Sequence, residues 1–238
     1  GHVKKIKRDA QKTAELFISL KTPTFEQERD MISVSHPKEY GMLRGNILGA
    51  ERSFKQTEYD EHFKEFTEPY STAYFVETGG QAYRVGALSR LQNNHRFLRK
   101  DAKKLLKKSG ITFPCGNPFM SNIAQAIELV HSIDHATEIL STLTIRNEKI
   151  RTPTTLKKTR GIAGIEVPRG LLWHDYHLDK NGTITKAQII TPTAQNLRAM
   201  QEDVRAYIPS LLHMKRERIE LEIEKLIRAY DPCFSCST

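Results

Sequence analysis

Asp231-Pro232-Cys233-Phe234-Ser235-Cys236-Ser237-Thr238 closes the chain, and its reading decides how everything before it is read. Two thiols three residues apart, behind an Asp-Pro turn, can direct both sulfurs at one soft metal ion. They are two of the chain's three cysteines. A metal usually takes about four such ligands, and the sequence offers no second cysteine pair. Taken by itself the tail is half of a metal site. A structural zinc half-site and a redox dithiol are the other readings, although redox pairs normally open a helix, where the dipole lowers the thiol pKa. This pair follows one.

At 238 residues the chain can bury a substantial core, and 38% hydrophobic with 27% charged residues suits a globular protein. No apolar run approaches the ~20 residues of a membrane span, so no membrane partner is expected. Gly1-His2-Val3-Lys4-Lys5 lacks the apolar core of an export signal. Three cysteines cannot close a disulfide framework, and a cytoplasmic location is expected. The net charge of +9 concentrates between Arg96 and Lys108, where Leu98, Leu105 and Leu106 suggest an amphipathic helix with a solvated basic face. No pattern of stacking aromatics accompanies it, so nucleic-acid binding is not expected. A docking surface for an acidic partner ranks above it, and plain solvated surface above both.

Periodicity predicts a helix over residues 3–20, with Ala14, Leu16, Phe17 and Leu20 along one side. Residues 22–35 read as irregular. Short β-type runs follow at 43–48, 73–77 and 81–86, the last two joined as a hairpin through Thr78-Gly79-Gly80. The longest helix should run from Asn117 to about Leu143, burying Met120, Ile123, Ile127, Val130, Ile133, Ala136 and Leu140. His131 and His135 lie one turn apart there, with no third ligand in view, and read as a polar flank. Cys115 reads as a core residue. Beyond a basic, threonine-rich loop at 152–160, a second β block spans 166–190 around an Asn181-Gly182 turn. Thr193 is the expected cap of a helix to about Tyr207, and a last helix covers about 211–230, buried through Ile219, Ile223 and Leu226. The fold class is α+β: a helix-dominated, long-helix bundle with two small antiparallel β insertions, at about 40–90 and 160–192, in a single domain over 1–238.

Two further segments carry chemistry. In Glu166-Val167-Pro168-Arg169-Gly170-Leu171-Leu172-Trp173-His174, an arginine behind a proline holds five donors in a rigid fork. Its plain role would be a salt bridge, for instance to Glu166. Thr191-Pro192-Thr193-Ala194-Gln195-Asn196 is ordinarily just a helix cap.

In this order the three segments resemble the C-terminal part of the large subunit of a nickel–iron hydrogenase. Asp231-Pro232-Cys233-X-X-Cys236 resembles the family's cysteine motif, Glu166-X-Pro168-Arg169-Gly170-X-Leu172-X-His174 its proline–arginine strand, and Thr191-Pro192-Thr193-X-X-Asn196 the segment beside the iron's diatomic ligands. Val85-Gly86-Ala87-Leu88-Ser89-Arg90-Leu91, with Tyr230 before Asp231, resembles the cytosolic, cofactor-coupled branch (group 3-like). The resemblance implies that the fold is a fragment of the hydrogenase large-subunit fold. It implies that Cys233 is a terminal nickel ligand and that Cys236 bridges nickel and an iron carrying cyanide and carbon monoxide. Arg169 would hang its guanidinium over the metals, Pro168 would shape the pocket, Thr193 would donate to a cyanide, and Asp231 would anchor Arg169. Hydrogen would split heterolytically, with a thiolate or a neighbouring base taking the proton.

The family's other two thiolates come from an Arg-X-Cys-Gly-X-Cys motif preceded by a proton-relay glutamate, and neither is in this sequence. The family's histidine that would follow Thr238 is missing too. The chain is therefore expected to be the C-terminal part of a larger subunit, inactive and without the nickel–iron centre on its own. Its expected partners are the missing N-terminal part of the subunit, an iron–sulfur small subunit and electron-acceptor subunits (nicotinamide-, deazaflavin- or otherwise linked). Apolar surface left uncovered predicts self-association. The alternatives are a non-catalytic relative of the same fold, akin to a quinone-oxidoreductase subunit, and a basic nucleic-acid-binding protein with a zinc half-site.

Overall fold

The 23-residue helix α5 (Met120–Thr142) is the axis of a helical layer formed with α1 (His2–Ser19), α3 (Ala87–Asn94) and α4 (Lys100–Ser109). The structure, a computed structural model, describes residues 2–147, 155 and 157–236. Alanines make the close approach: Ala10 and Ala14 of α1, Ala102 of α4, and Ala124 and Ala126 of α5 are all buried. Leu88, Leu91, Leu105, Ile123, Ile127 and Val130 fill the space between. Each such side chain fully removed from water contributes about 1.5–3 kcal/mol.

The apolar stripe expected along α5 is only half used. Ile123, Ile127 and Val130 are buried, whereas Ala136 and Leu140 are exposed, and so are Ile139 and Leu143. No described element covers the last turns. On α1 the inward face is Ala10, Ala14 and Phe17 (partly), while Leu16 faces outward and Leu20, just past the helix, is exposed. α5 also begins three residues later than expected, because Asn117 Oδ1 accepts the Phe119 N–H in the turn ahead of it.

The residues expected to be irregular contain two short strands, β1 (Asp30–Met31) and β2 (Ser33–Ser35). β2 pairs with β3 (Asn46–Leu48), and β3 with β4 (Ser53–Phe54). After the short helix α2 (Tyr59–His62), β5 (Phe63–Thr67) pairs with β6 (Tyr74–Thr78). Here the expected hairpin is corrected. Gly79 and Gly80 do turn the chain with positive φ, closed by reciprocal Thr78–Gln81 backbone bonds. The strands then part, and β7 (Tyr83–Arg84) runs parallel to β1. Tyr83 and Arg84 are both buried, Tyr83 beside Phe63 in the same core cluster as Val76 of β6, and Arg84 on Asp203 and Tyr230.

The second β block is an antiparallel meander of β8 (Thr159–Val167), β9 (Gly170–Leu178) and β10 (Ile184–Ile190), with β9 central. Leu171, Trp173 and Ile190 face inward against Ile32, Val34 and Ile47. The basic loop expected at 152–160 lies mostly outside the described residues. Helix α6 runs Pro192–Leu211, capped by Thr191 rather than Thr193, since Thr191 Oγ1 accepts the Ala194 N–H. Pro209 sits inside its last turn, where only one helical bond is lost. The final helix α7 therefore starts later than expected, at Arg216, and ends at Ala229. Among the described residues, no helix is long and apolar enough to cross a membrane.

His131 ties two of the helices together; among the described residues no group of three His, Cys, Asp or Glu could hold an ion. Its Nδ1 accepts the Arg99 N–H at 3.1 Å, at the start of α4. Burial lowers its pKa from 6.5 to about 4. The folded-state pKa lies below the unfolded one, so the unfolded chain takes up the proton first as the pH falls. Stability is then lost from pH 6.5 down to about 4, approaching about 3 kcal/mol. Replacing it by asparagine (His131→Asn), whose Oδ1 can take the same N–H, should flatten that slope in urea midpoints measured from pH 7 to pH 4.

Candidate functional site

One face of α6 organises the site. Thr193, Asn196 and Asp203 recur at helical spacing and are all buried. Thr193 Oγ1 accepts the Cys233 N–H at 3.2 Å, fixing the start of the thiol pair. Asn196 takes both backbone atoms of Val85, accepting its N–H at 2.9 Å and donating to its carbonyl at 3.2 Å. Asp203 accepts the Tyr230 hydroxyl at 2.5 Å and Arg84 Nη2 at 2.7 Å.

The tail leaves α7 through an unusual backbone. Asp231 has φ of 49°, in the left-handed region where Asp is among the few tolerated side chains. Arg169 holds it there: its Nε donates to the Asp231 carbonyl at 2.9 Å and its Nη2 to Asp231 Oδ1 at 3.2 Å. Both side chains remain partly exposed, so the pair contributes at most about 1 kcal/mol and matters more for direction than for energy. Glu166, the plain partner for Arg169 in the sequence, is turned inward instead and pairs with Arg90 at 2.9 Å.

Arg169 sits at the tip of the β8–β9 hairpin, whose register pairs Val167 with Gly170 across Pro168-Arg169. Arg90 fixes that tip from beneath, donating to the Val167 carbonyl at 3.0 Å and the Pro168 carbonyl at 3.1 Å. The same guanidinium binds Glu128 through two bonds of 2.6 and 2.7 Å. Burial of Glu166 raises its pKa, and Arg90 works against that. Gly170, with φ of 137°, is required: an added Cβ would lie 2.6 Å from Val85 Cγ2 and 3.0 Å from Gly86 N.

Cys233 and Cys236 have Cα atoms 5.3 Å apart and are joined as a disulfide. Reduced, they present two soft sulfurs anchored through Thr193 at one end, which suits nickel, iron, zinc or copper(I). They fit half of a four-thiolate set and no more. Cys115 stands elsewhere, partly buried against the helical layer, with a thiol pushed up in pKa by burial.

The profile of the nickel-dependent hydrogenase family matches residues 41–238, and the chain belongs to that family. It is 35% identical over 200 residues to the sulfhydrogenase 1 subunit alpha of Pyrococcus furiosus, covering 83% of this chain and 46% of that protein. It is 31% identical over 200 residues to the NAD-reducing hydrogenase HoxS subunit beta of Cupriavidus necator, covering 79% and 41%. A crystal structure of an NAD+-reducing [NiFe]-hydrogenase shares the fold, with a TM-score of 0.72 at 24% identity, over all of this chain and 55% of that one. The chain spans about half the length of the curated relatives it matches.

Sequence reasoning singled out Pro168, Arg169, Thr193, Asp231, Cys233 and Cys236, and the fold brings Arg169 to Asp231 and Thr193 to Cys233. Pro168 lies at the hairpin tip with its carbonyl on Arg90. It missed the supports, Arg84 and Asp203. Asp203 lies seven residues after Asn196, two helical turns on, and that spacing was the available signal. Replacing Asn196 by alanine should leave the buried Val85 N–H and carbonyl without partners, lowering unfolding free energy by about 3 kcal/mol. Asn196→Asp, which sets a carboxylate oxygen against the Val85 carbonyl in a buried site, should be at least as destabilised in chemical denaturation.

Proposed function

We propose that this chain is the C-terminal part of the catalytic subunit of a nickel–iron hydrogenase, which oxidises hydrogen reversibly to protons and electrons. The observation that carries the reading is the tail itself: a Cys233/Cys236 pair tethered to Thr193, directly after an aspartate that Arg169 grips twice. The reduced thiolates of Cys233 and Cys236 would supply two of the four sulfur ligands that hold nickel and iron. A nickel–iron centre, with cyanide and carbon monoxide on the iron, would supply the electron-rich site at which hydrogen is split.

The chain's own residues do the rest. Asp231 sets the direction of the Arg169 fork, whose remaining donors are available to an anionic ligand at the metals. The Thr193 hydroxyl accepts the Cys233 N–H, leaving its own proton to donate towards a second such ligand. Pro168, held by its carbonyl on Arg90, gives the pocket a rigid wall. The thiolate of Cys233 or Cys236 is the group through which this chain would accept the proton.

The other thiolates would come from the N-terminal part of the subunit. A groove of about 650 Å³ along α5 ends at Pro168 and Asp231 and takes in Leu129 and Ile139, two of the exposed apolar side chains of that helix. Covering it would bring the missing ligands to the tail. Alone, the chain would lack activity and would self-associate through this face. An iron–sulfur small subunit and electron-acceptor subunits would complete a cytoplasmic enzyme, with neither membrane nor nucleic acid as partner.

Co-expression with the N-terminal part and the iron–sulfur partner should give a complex containing nickel and iron that takes up hydrogen. Cys233→Ala should abolish nickel incorporation. Arg169→Lys should retain both metals and lose turnover by about a hundredfold, because an ammonium cannot reproduce a planar fork. Full turnover in that variant would remove Arg169 from the mechanism.

A further inference from the structure

We propose that Arg84, Asp203 and Tyr230 form a positioning clamp that sets the height and direction of the cysteine tail. The inference rests on the hydrogenase reading for what the tail is for, but the clamp is defined by contacts of this chain alone. Tyr230 is the last residue before Asp231, so whatever fixes it fixes the start of the turn that carries Cys233. Its hydroxyl donates to Asp203 Oδ2 at 2.5 Å and accepts from Arg84 Nη2 at 3.0 Å. Its ring lies 5.3 Å from the Arg84 guanidinium carbon.

The cluster is closed from the far side by Arg29, which donates to Asp203 Oδ1 through Nε at 3.3 Å and Nη2 at 2.9 Å. Arg29 also binds Glu202 at 2.5 Å. Two arginines therefore face two carboxylates, and the tyrosine adds a neutral hydroxyl. Asp203 is fully buried and Arg84 is 2% exposed. Such buried pairs contribute little net stability relative to apolar packing, and their best-attested use is to select one register. The register selected here is that of residue 230 against α6.

Two linkages make this a positioning device for the site. Asp203 and Thr193 lie on the same helix, so one rigid element grips the tail at Tyr230 and again at Cys233. Arg84 runs directly into Val85 and Gly86, and these two pack on Gly170 beneath the Arg169 tip. A displacement of the clamp would thus move both the thiol pair and the hairpin tip. Tyr230→Phe separates orientation from folding, because the ring stays in its apolar cluster and Asp203 keeps both arginines.

The test is hydrogen exchange on the reduced full chain without metal, read segment by segment. In Tyr230→Phe the amides of residues 231 and 233–236 should exchange about tenfold faster, while those of α5 and the urea midpoint stay at wild-type values. Asp203→Asn should act in the same direction. A parallel titration with cobalt(II), followed by thiolate-to-cobalt absorption, should show about tenfold weaker binding in Tyr230→Phe. Acceleration of all core amides together would reduce the clamp to ordinary stability and overturn the proposal. Unchanged exchange in the tail would overturn it as well. If the reconstituted wild-type complex held no nickel, the hydrogenase reading would fail while the exchange result still decided the clamp.

Discussion

A helix whose first turns are buried on every side must place its polar side chains on whatever backbone lies nearby, since an unpartnered buried group costs about 1–3 kcal/mol. Helix α6 is in that position. Thr193, Gln195, Asn196 and Asp203 are all at or below 6% exposure. Gln195 turns to the Leu171 and Thr191 carbonyls, Asn196 to Val85, Thr193 to Cys233 and Asp203 to Tyr230 and Arg84. Of these side-chain atoms only Gln195 Oε1 is left without a partner. The tail, the central strand of the meander and the β7 connection are thereby referred to one rigid rod.

Much of the site was legible because its signals are local. Asp-Pro-Cys-X-X-Cys and Thr-Pro-Thr-X-X-Asn each sit within a few residues, and the end of α7 before Asp231-Pro232 followed from the proline. The supports were not legible because they span the chain. Arg84 meets Asp203 across 119 positions and Arg90 meets Glu128 across 38. No periodic pattern marks an arginine for burial. It takes the fold to bring a carboxylate to it.

The misread portions have one physical origin in common. The alternation at 73–77 and 81–86 correctly announced two strands and a tight turn, but neither strand took the other as its partner: β6 pairs with β5 and β7 with β1. The stripe along α5 correctly announced an apolar face, yet its second half meets no described element. The chain spans about half the length of the curated relatives it matches. Periodicity reports what a face is suited to bury, not whether the partner is on the same stretch of chain.

The two-residue tip of the β8–β9 hairpin leaves no slack in the strands that carry Arg169. Side chains on a strand alternate faces at a rise of about 3.3 Å per residue. A slip of one residue in that ladder would carry the guanidinium about 3.3 Å along the strand and present it on the opposite face of the sheet. An inserted residue that shifts the ladder instead of bulging out of it would therefore part the guanidinium from Asp231, however well the sheet tolerates the change.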